Sequence, residues 1–219
     1  MASWDRASPA YIEDWLPRFA PYHADLANEL GLRPKQHVQA TPDLEPFVLR
    51  AVGEHTHRAP FDAIVSTSAD IDPGWSDALA PAGKVGLLLW GPEEPDDPLA
   101  VLERIAARRT SEPLDRSHLA ERLHAAGLAL VRHTVVRHTL MFAHAEELAA
   151  SAIRASTWKA AFEAQGEARC GKALARFYDE VGGPQQALSW EPAATIVIAG
   201  LPGAEIELPH RPSVKIPLS

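Results

Sequence analysis

Two short apolar runs dominate the hydrophobic pattern of the chain: Ala63-Ile64-Val65 and Val85 to Leu89. Runs of this length without polar alternation are what parallel strands buried on both faces require. A loop and a short helix fit between them, and Pro81-Ala82-Gly83 is turn chemistry directly before the second run. Pro60 to Trp90 therefore predicts a strand–helix–strand unit and an α/β fold.

The pattern elsewhere supplies the flanking elements. Residues 1–10 read as a loose leader. Tyr11, Ile12, Trp15, Leu16 and Phe19 recur at helical spacing, and Pro21 opens a second helical piece with Tyr22, Leu26 and Leu30 on one side and Gly31 as its stop. His37 to Ala40 predicts a short strand. Thr41-Pro42-Asp43 predicts a helix start, with a hydroxyl cap, proline at the first position and an acid in the first turn. Leu44, Phe47, Val48, Ala51 and Val52 are that helix's buried stripe. Asp97-Pro98 starts another helix, with Leu99, Leu102, Ile105 and Ala106 as its apolar face and Arg108 and Arg109 at its end. Asp115 is the expected cap of the next, which carries Leu119, Leu123 and Ala126. Leu128 to Phe142 is β-prone. Ala145 to about Val181 is helical with a break near Gly166, and Ala194 to Ala199 is a final strand before a Pro-rich tail.

Composition narrows the class. The chain has 219 residues, 46% hydrophobic and 23% charged, enough for one sizeable core. A net charge of -8 argues against a nucleic-acid or anionic-membrane surface. Cys170 is the single cysteine, so no internal disulfide forms and a reducing, cytoplasmic setting is expected. No run of membrane-spanning length is present.

The order of these pieces resembles the class I S-adenosylmethionine-dependent methyltransferases of the small-molecule type. Tyr11 with Trp15, Phe19-Ala20-Pro21-Tyr22 and Leu30-Gly31-Leu32-Arg33-Pro34 look like that family's N-terminal helix. Phe61 to Val65 is similar to its fourth strand, and Leu79 to Val85 with Leu89-Trp90 to its fifth. Leu123-His124-Ala125-Ala126-Gly127-Leu128 resembles the helix and turn before its sixth strand. Phe142 with Ala145-Glu146-Glu147-Leu148 resembles the start of its inserted helices. The resemblance implies one domain: N-terminal helices over 11–36, a sheet core over 37–142, a helical lid over 143–190, and the last strand and tail over 191–219. The fold expected is a truncated Rossmann-like sheet of about five strands, mostly parallel with an antiparallel last strand.

The departure from the family lies at its cofactor motif. The family has a Gly-rich turn after strand one, where the cofactor meets the backbone. This chain has Gln39-Ala40-Thr41-Pro42-Asp43 there. The family's strands two and three, which need roughly 30 residues per βαβ unit, do not fit between Val38 and Phe61. Strand order becomes 1-4-5-7-6, so the reversal that opens the ligand crevice is lost. The right-handed crossover rule puts the helix over 42–53 on the face of the family's third crossover helix.

Several constellations carry candidate chemistry. His55-Thr56-His57 offers two imidazoles on an extended segment, or a solvated loop. His133 and His138 are five apart, face opposite sides of a regular strand and share a metal only across a bulge. Glu93, Glu94, Asp96 and Asp97 form an acidic mouth or a solvated loop. Cys170 reads as a small packed residue. The candidate pocket is Ser66, Thr67, Asp70 and Trp90 at the strand ends, under helices carrying Trp158 and Phe177, against the alternatives of loop capping and ordinary core packing.

The expected function is a methyltransferase-like protein with an eroded cofactor site: no cofactor, no metal, and a non-catalytic partner, regulatory or small-molecule-binding role. The alternative is an active methyltransferase using S-adenosylmethionine, or a cofactor-independent enzyme working under the lid. Expected partners are a second copy or a complete methyltransferase, and a small molecule. The stripped flank beside His37 to Ala40 is expected to be covered either by displaced N-terminal helices or by such a partner.

Overall fold

The computed structural model describes residues 4–6, 8–53, 58–68, 70–91, 94, 96–106 and 118–209. His55 to His57, Glu93, Arg108, Arg109 and Asp115 lie outside the described residues. The helices are α1 (Ala20–Leu30), α2 (Glu45–Val52), α3 (Trp75–Ala78), α4 (Pro98–Ala106), α5 (Leu119–Ala125), α6 (Ala145–Ala155), α7 (Lys159–Glu163) and α8 (Glu167–Val181). The strands are β1 (Val38–Ala40), β2 (Phe61–Ser66), β3 (Leu79–Trp90), β4 (Ala129–Arg137), β5 (Leu140–Phe142), β6 (Leu188–Trp190) and β7 (Ala193–Gly200). A π-helical turn, Tyr11–Trp15, precedes α1. None of these helices is long and apolar enough to cross a membrane.

Five strands form the main sheet in the order β1-β2-β3-β7-β4. β1, β2 and β3 are parallel, and β7 runs antiparallel to both β3 and β4. This is the truncated order the sequence predicts. Pro81-Ala82-Gly83 is not a separate turn. It is absorbed into β3, where the register jumps from Phe61↔Leu79 to Ala63↔Lys84 and the extra residues bulge out. The β-prone stretch to Phe142 breaks after Arg137, and β5 pairs instead with β6 in a second, two-stranded sheet.

Alternation along each strand separates two cores. Val38, Ala63, Val65, Leu88, Trp90, Ala194, Ile196 and Ile198 face one side with α1, α2, α4, α6 and α8. Ile64, Val85, Leu87, Leu89, Val197 and Ala199 face the other with α3 and α5. Gly86 lies beneath α1, where an added Cβ would come within 2.6 Å of Leu30. The missing side chain lets the helix close onto β3.

This sidedness overturns the expected placement of α2. β1→β2 and β2→β3 both step one strand in the same direction, yet α2 packs on the face opposite α3. The two crossovers therefore have opposite hands. α5, which leads into β4, shares the face of α3, so the β1→β2 connection is the left-handed exception. The helix keeps the side it would hold if it led to a strand on the far flank, while the strand it now feeds lies on the near one.

Two other expectations are corrected. The leader is held, since Trp4 is buried, bridges to Ser156, and is followed by an Asp5 N–H that donates to Ala155 O at 2.8 Å. Thr41 does not cap a helix. α2 starts at Glu45, and the Thr41 hydroxyl is buried without a partner. On the side of Val38 the flank beside β1 is covered by α2 rather than by displaced N-terminal helices, and Gln39 on the other side is exposed. Val38 is fully buried, and the Lys35 N–H donates to Val52 O at 2.9 Å.

Candidate functional site

A ligand crevice in an open α/β sheet forms where neighbouring strands send their connections to opposite faces at their carboxyl ends. A reversal of strand order normally produces that divergence. Here the order does not reverse, but the left-handed crossover sends β1's connection to one face while β2's goes to the other. The divergence that defines a crevice is therefore kept between β1 and β2.

Its walls are the residues that leave these strands. Thr41 to Asp43 follow β1, Ser66 ends β2 and Thr67 follows it. The Asp43 side chain is 1% exposed. Its Oδ2 accepts from Thr67 Oγ1 at 2.7 Å. Arg6 closes the opening: its guanidinium donates to Thr67 Oγ1, to Thr67 O at 3.2 Å, and stands 3.7 Å from Asp43 Oδ2. Tyr11 and His23 complete the surroundings. Burial, then the Asp43 charge, drives the Tyr11 hydroxyl pKa up. Burial lowers the His23 pKa to about 4, against a smaller opposite pull from Asp43.

Satisfaction here is incomplete. Asp43 Oδ1, Thr41 Oγ1 and His23 Nδ1 are buried with no hydrogen-bond partner, as are the indole N–H groups of Trp4, Trp15, Trp158 and Trp190. Buried polar atoms are ordinarily paired, and exceptions mark strain or a missing occupant.

The six residues singled out from sequence do not converge. Thr67 is in the network just described. Ser66 is buried and accepts from the Ser68 N–H at 3.0 Å. Asp70 is fully exposed, near Arg122 at 3.9 Å. Trp90, Trp158 and Phe177 are core residues: Trp90 packs on Phe19 and Tyr22, Trp158 on Phe162, and Phe177 on Tyr178.

The remaining polar candidates are structural. Cys170 Sγ contacts Phe162 O at 3.1 Å. His138 leaves β4 and pairs with Asp25 at 2.8 Å. Glu94 is exposed, and its N–H donates to Asp97 Oδ2 at 3.0 Å as a local turn. Among the described residues no group of His, Cys, Asp and Glu is placed to hold a metal.

Arg6, Asp43 and His23 were missed by sequence reasoning. Arg6 lay in an apparent leader, and Asp43 looked like a helix-start acid. The available signal was His23, beside Tyr22 on an amphipathic helix. Away from the crevice, a cleft of about 650 Å³ at the opposite end of the strands is lined by Arg33, Asp62, Lys84 and Glu207.

No family model matches the chain, and no curated protein matches it. Solved structures do. A protein named "Putative Type II Methyltransferase" from Anaeromyxobacter dehalogenans is 12% identical, with 92% of this chain and 97% of that one covered at a TM-score of 0.50. The cyclopropane synthase MmaA2 from Mycobacterium tuberculosis is 13% identical over 82% and 83%, at 0.43. YjhP from E. coli is 12% identical over 86% and 96%, also at 0.43. The chain has the Rossmann-like fold of class I S-adenosylmethionine-dependent methyltransferases.

Proposed function

We propose that the chain is a methyltransferase-like protein that transfers no methyl group and acts as a non-catalytic, small-molecule-binding or regulatory protein. The observation that carries this reading is the state of the crevice. The residues there do not fit S-adenosylmethionine. The backbone after β1 is Thr41-Pro42-Asp43-Leu44, without glycine, and Pro42 offers no N–H. Leu44 is buried, and Arg6 stands on Thr67 and Asp43 where the crevice opens. Titration calorimetry with millimolar S-adenosylmethionine and S-adenosylhomocysteine tests it. No saturable heat is expected, and a micromolar isotherm would sink the reading.

Association with a second copy or an intact methyltransferase is part of the same proposal. α2 covers one face of the flank beside β1, and the support lies on β4, at the other end of the sheet order, where Leu130, Val131 and Val135 are exposed. Sedimentation velocity over a hundredfold concentration range, alone and mixed with an intact methyltransferase, is expected to show a second species. A single monomer boundary throughout removes this part.

A further inference from the structure

The unpartnered polar atoms of the crevice residues differ in kind, and one of them belongs to a carboxylate. Asp43 Oδ1 is an acceptor. Thr41 Oγ1 accepts as well as donates. His23 is held neutral by burial, and its Nδ1 accepts or donates according to the tautomer. Asp43 and His23 are buried, Thr41 is half-buried, and each of these atoms lacks a hydrogen-bond partner. A buried carboxylate oxygen without a donor is costly, so an occupant that relieves Asp43 Oδ1 brings an N–H group. An anion would meet the Asp43 carboxylate, and an apolar group would leave the deficits unchanged. A net charge of -8 also favours approach of cations.

The chain already holds one such group nearby. The Arg6 guanidinium reaches Thr67 and the Oδ2 side of Asp43 from a position one-third exposed to solvent. It leaves Oδ1 unpaired. We infer that the unpaired side of Asp43 is a binding site for a small organic cation, an alkylguanidinium or alkylammonium, with Arg6 as the chain's own competitor beside it. This rests on the reading of the crevice as unsuited to S-adenosylmethionine and names what it takes instead. Arg6 limits access, so the intact protein binds weakly.

The test uses the full chain, methylguanidinium and propylammonium as probes, and neutral methylurea as the control. Calorimetry is expected to show at least tenfold tighter methylguanidinium binding in Arg6→Ala than in the unaltered protein. Adding Asp43→Asn should weaken that binding at least tenfold, and methylurea should give no heat. Amide and imidazole chemical shifts locate the probe. Changes at Thr41 and His23 support the site, whereas changes confined to Thr67 mean that the probe merely refills the space of the lost guanidinium, and overturn it. Equal affinity in Arg6→Ala and the unaltered protein, or retention of affinity in the double variant, also overturns it. Should Arg6→Ala fail to fold by circular dichroism, Arg6→Gln carries the same comparisons. A micromolar S-adenosylmethionine isotherm would defeat the non-catalytic reading without altering these results, so the two failures are distinguishable.

Discussion

Asp43 and Lys84 sit at opposite ends of the same sheet, and they are treated very differently. Lys84 opens the regular part of β3 and donates to Leu30 O at 2.7 Å and to Glu207 O at 2.8 Å. It ties the end of α1 and the segment after β7 to the base of the sheet. Burial lowers its pKa, with Arg33 adding to the effect, but its donors are used. Asp43, at the carboxyl ends of the strands, is more deeply buried and has one oxygen satisfied and one not. The satisfied charge is a structural staple. The half-satisfied one is where a ligand has something to gain. α1 connects the two ends, carrying His23 at its start and the Leu30 carbonyl at its finish.

The largest effect expected from this asymmetry is on pH dependence. The folded-state pKa of His23 is depressed from 6.5 to about 4 by burial. The unfolded chain therefore binds the proton first as pH falls. Stability is fully present above 6.5, declines from there, and levels off below about 4. At about 1.4 kcal/mol per unit, the loss from this residue is about 3 kcal/mol. Urea denaturation of the unaltered protein and of His23→Gln between pH 7 and 4 checks it. The difference between the two should shrink as pH falls. Parallel profiles would show that His23 titrates normally and is not enclosed by the crevice.

A smaller effect is expected at the base. Lys84→Met keeps the apolar stem but removes both hydrogen bonds, leaving two carbonyls to find other donors. The cost is expected to be about 1–2 kcal/mol, with faster proteolysis after β7, because the Glu207 contact is lost. Unchanged stability and unchanged cleavage would mean that Lys84 holds nothing in place.

The sheet was more legible in the sequence than the site. β2 and β3 announced themselves because strands buried on both faces must be apolar without interruption, and Ala194 to Ala199 repeats that signature. β6 was not legible: Leu188-Ser189-Trp190 is too short for a period, and it exists only because Leu140 to Phe142 presents an edge to it. The face taken by α2 was hidden for another reason. Handedness is a property of the assembled layers, and the rule that predicts it fails here. The crevice depended on that failure. Asp43 read as a helix-start acid because proline and an acid after threonine fit a cap, but the turn at 42–44 delays the helix and turns the carboxylate inward. Arg6 was invisible because a polar, proline-containing leader has no periodicity to betray the single contact that fixes it. Trp90, Trp158 and Phe177 erred in the opposite direction, since aromatic residues near a strand end or in inserted helices pack a core as readily as they line a pocket.

The smallest expected effect is the most discriminating. Asp43→Asn keeps the size of the side chain and an oxygen for Thr67, and removes the charge. If Asp43 were a staple like Lys84, neutralising it would break a buried ionic contact and cost several kcal/mol. Its position argues otherwise. One oxygen has no partner, the Arg6 contact is 3.7 Å long, and Arg6 is one-third exposed and can turn to solvent. Burying an uncompensated half of a carboxylate is itself unfavourable, and relieving it offsets the weaker bond to Thr67. Asp43→Asn is therefore expected to shift stability by less than about 1 kcal/mol while removing affinity for methylguanidinium. Chemical denaturation at pH 7 measures the first quantity, calorimetry in the Arg6→Ala background the second. A loss of 3 kcal/mol or more with unchanged cation affinity would make Asp43 a structural residue, and the two ends of the sheet would then differ in geometry but not in role.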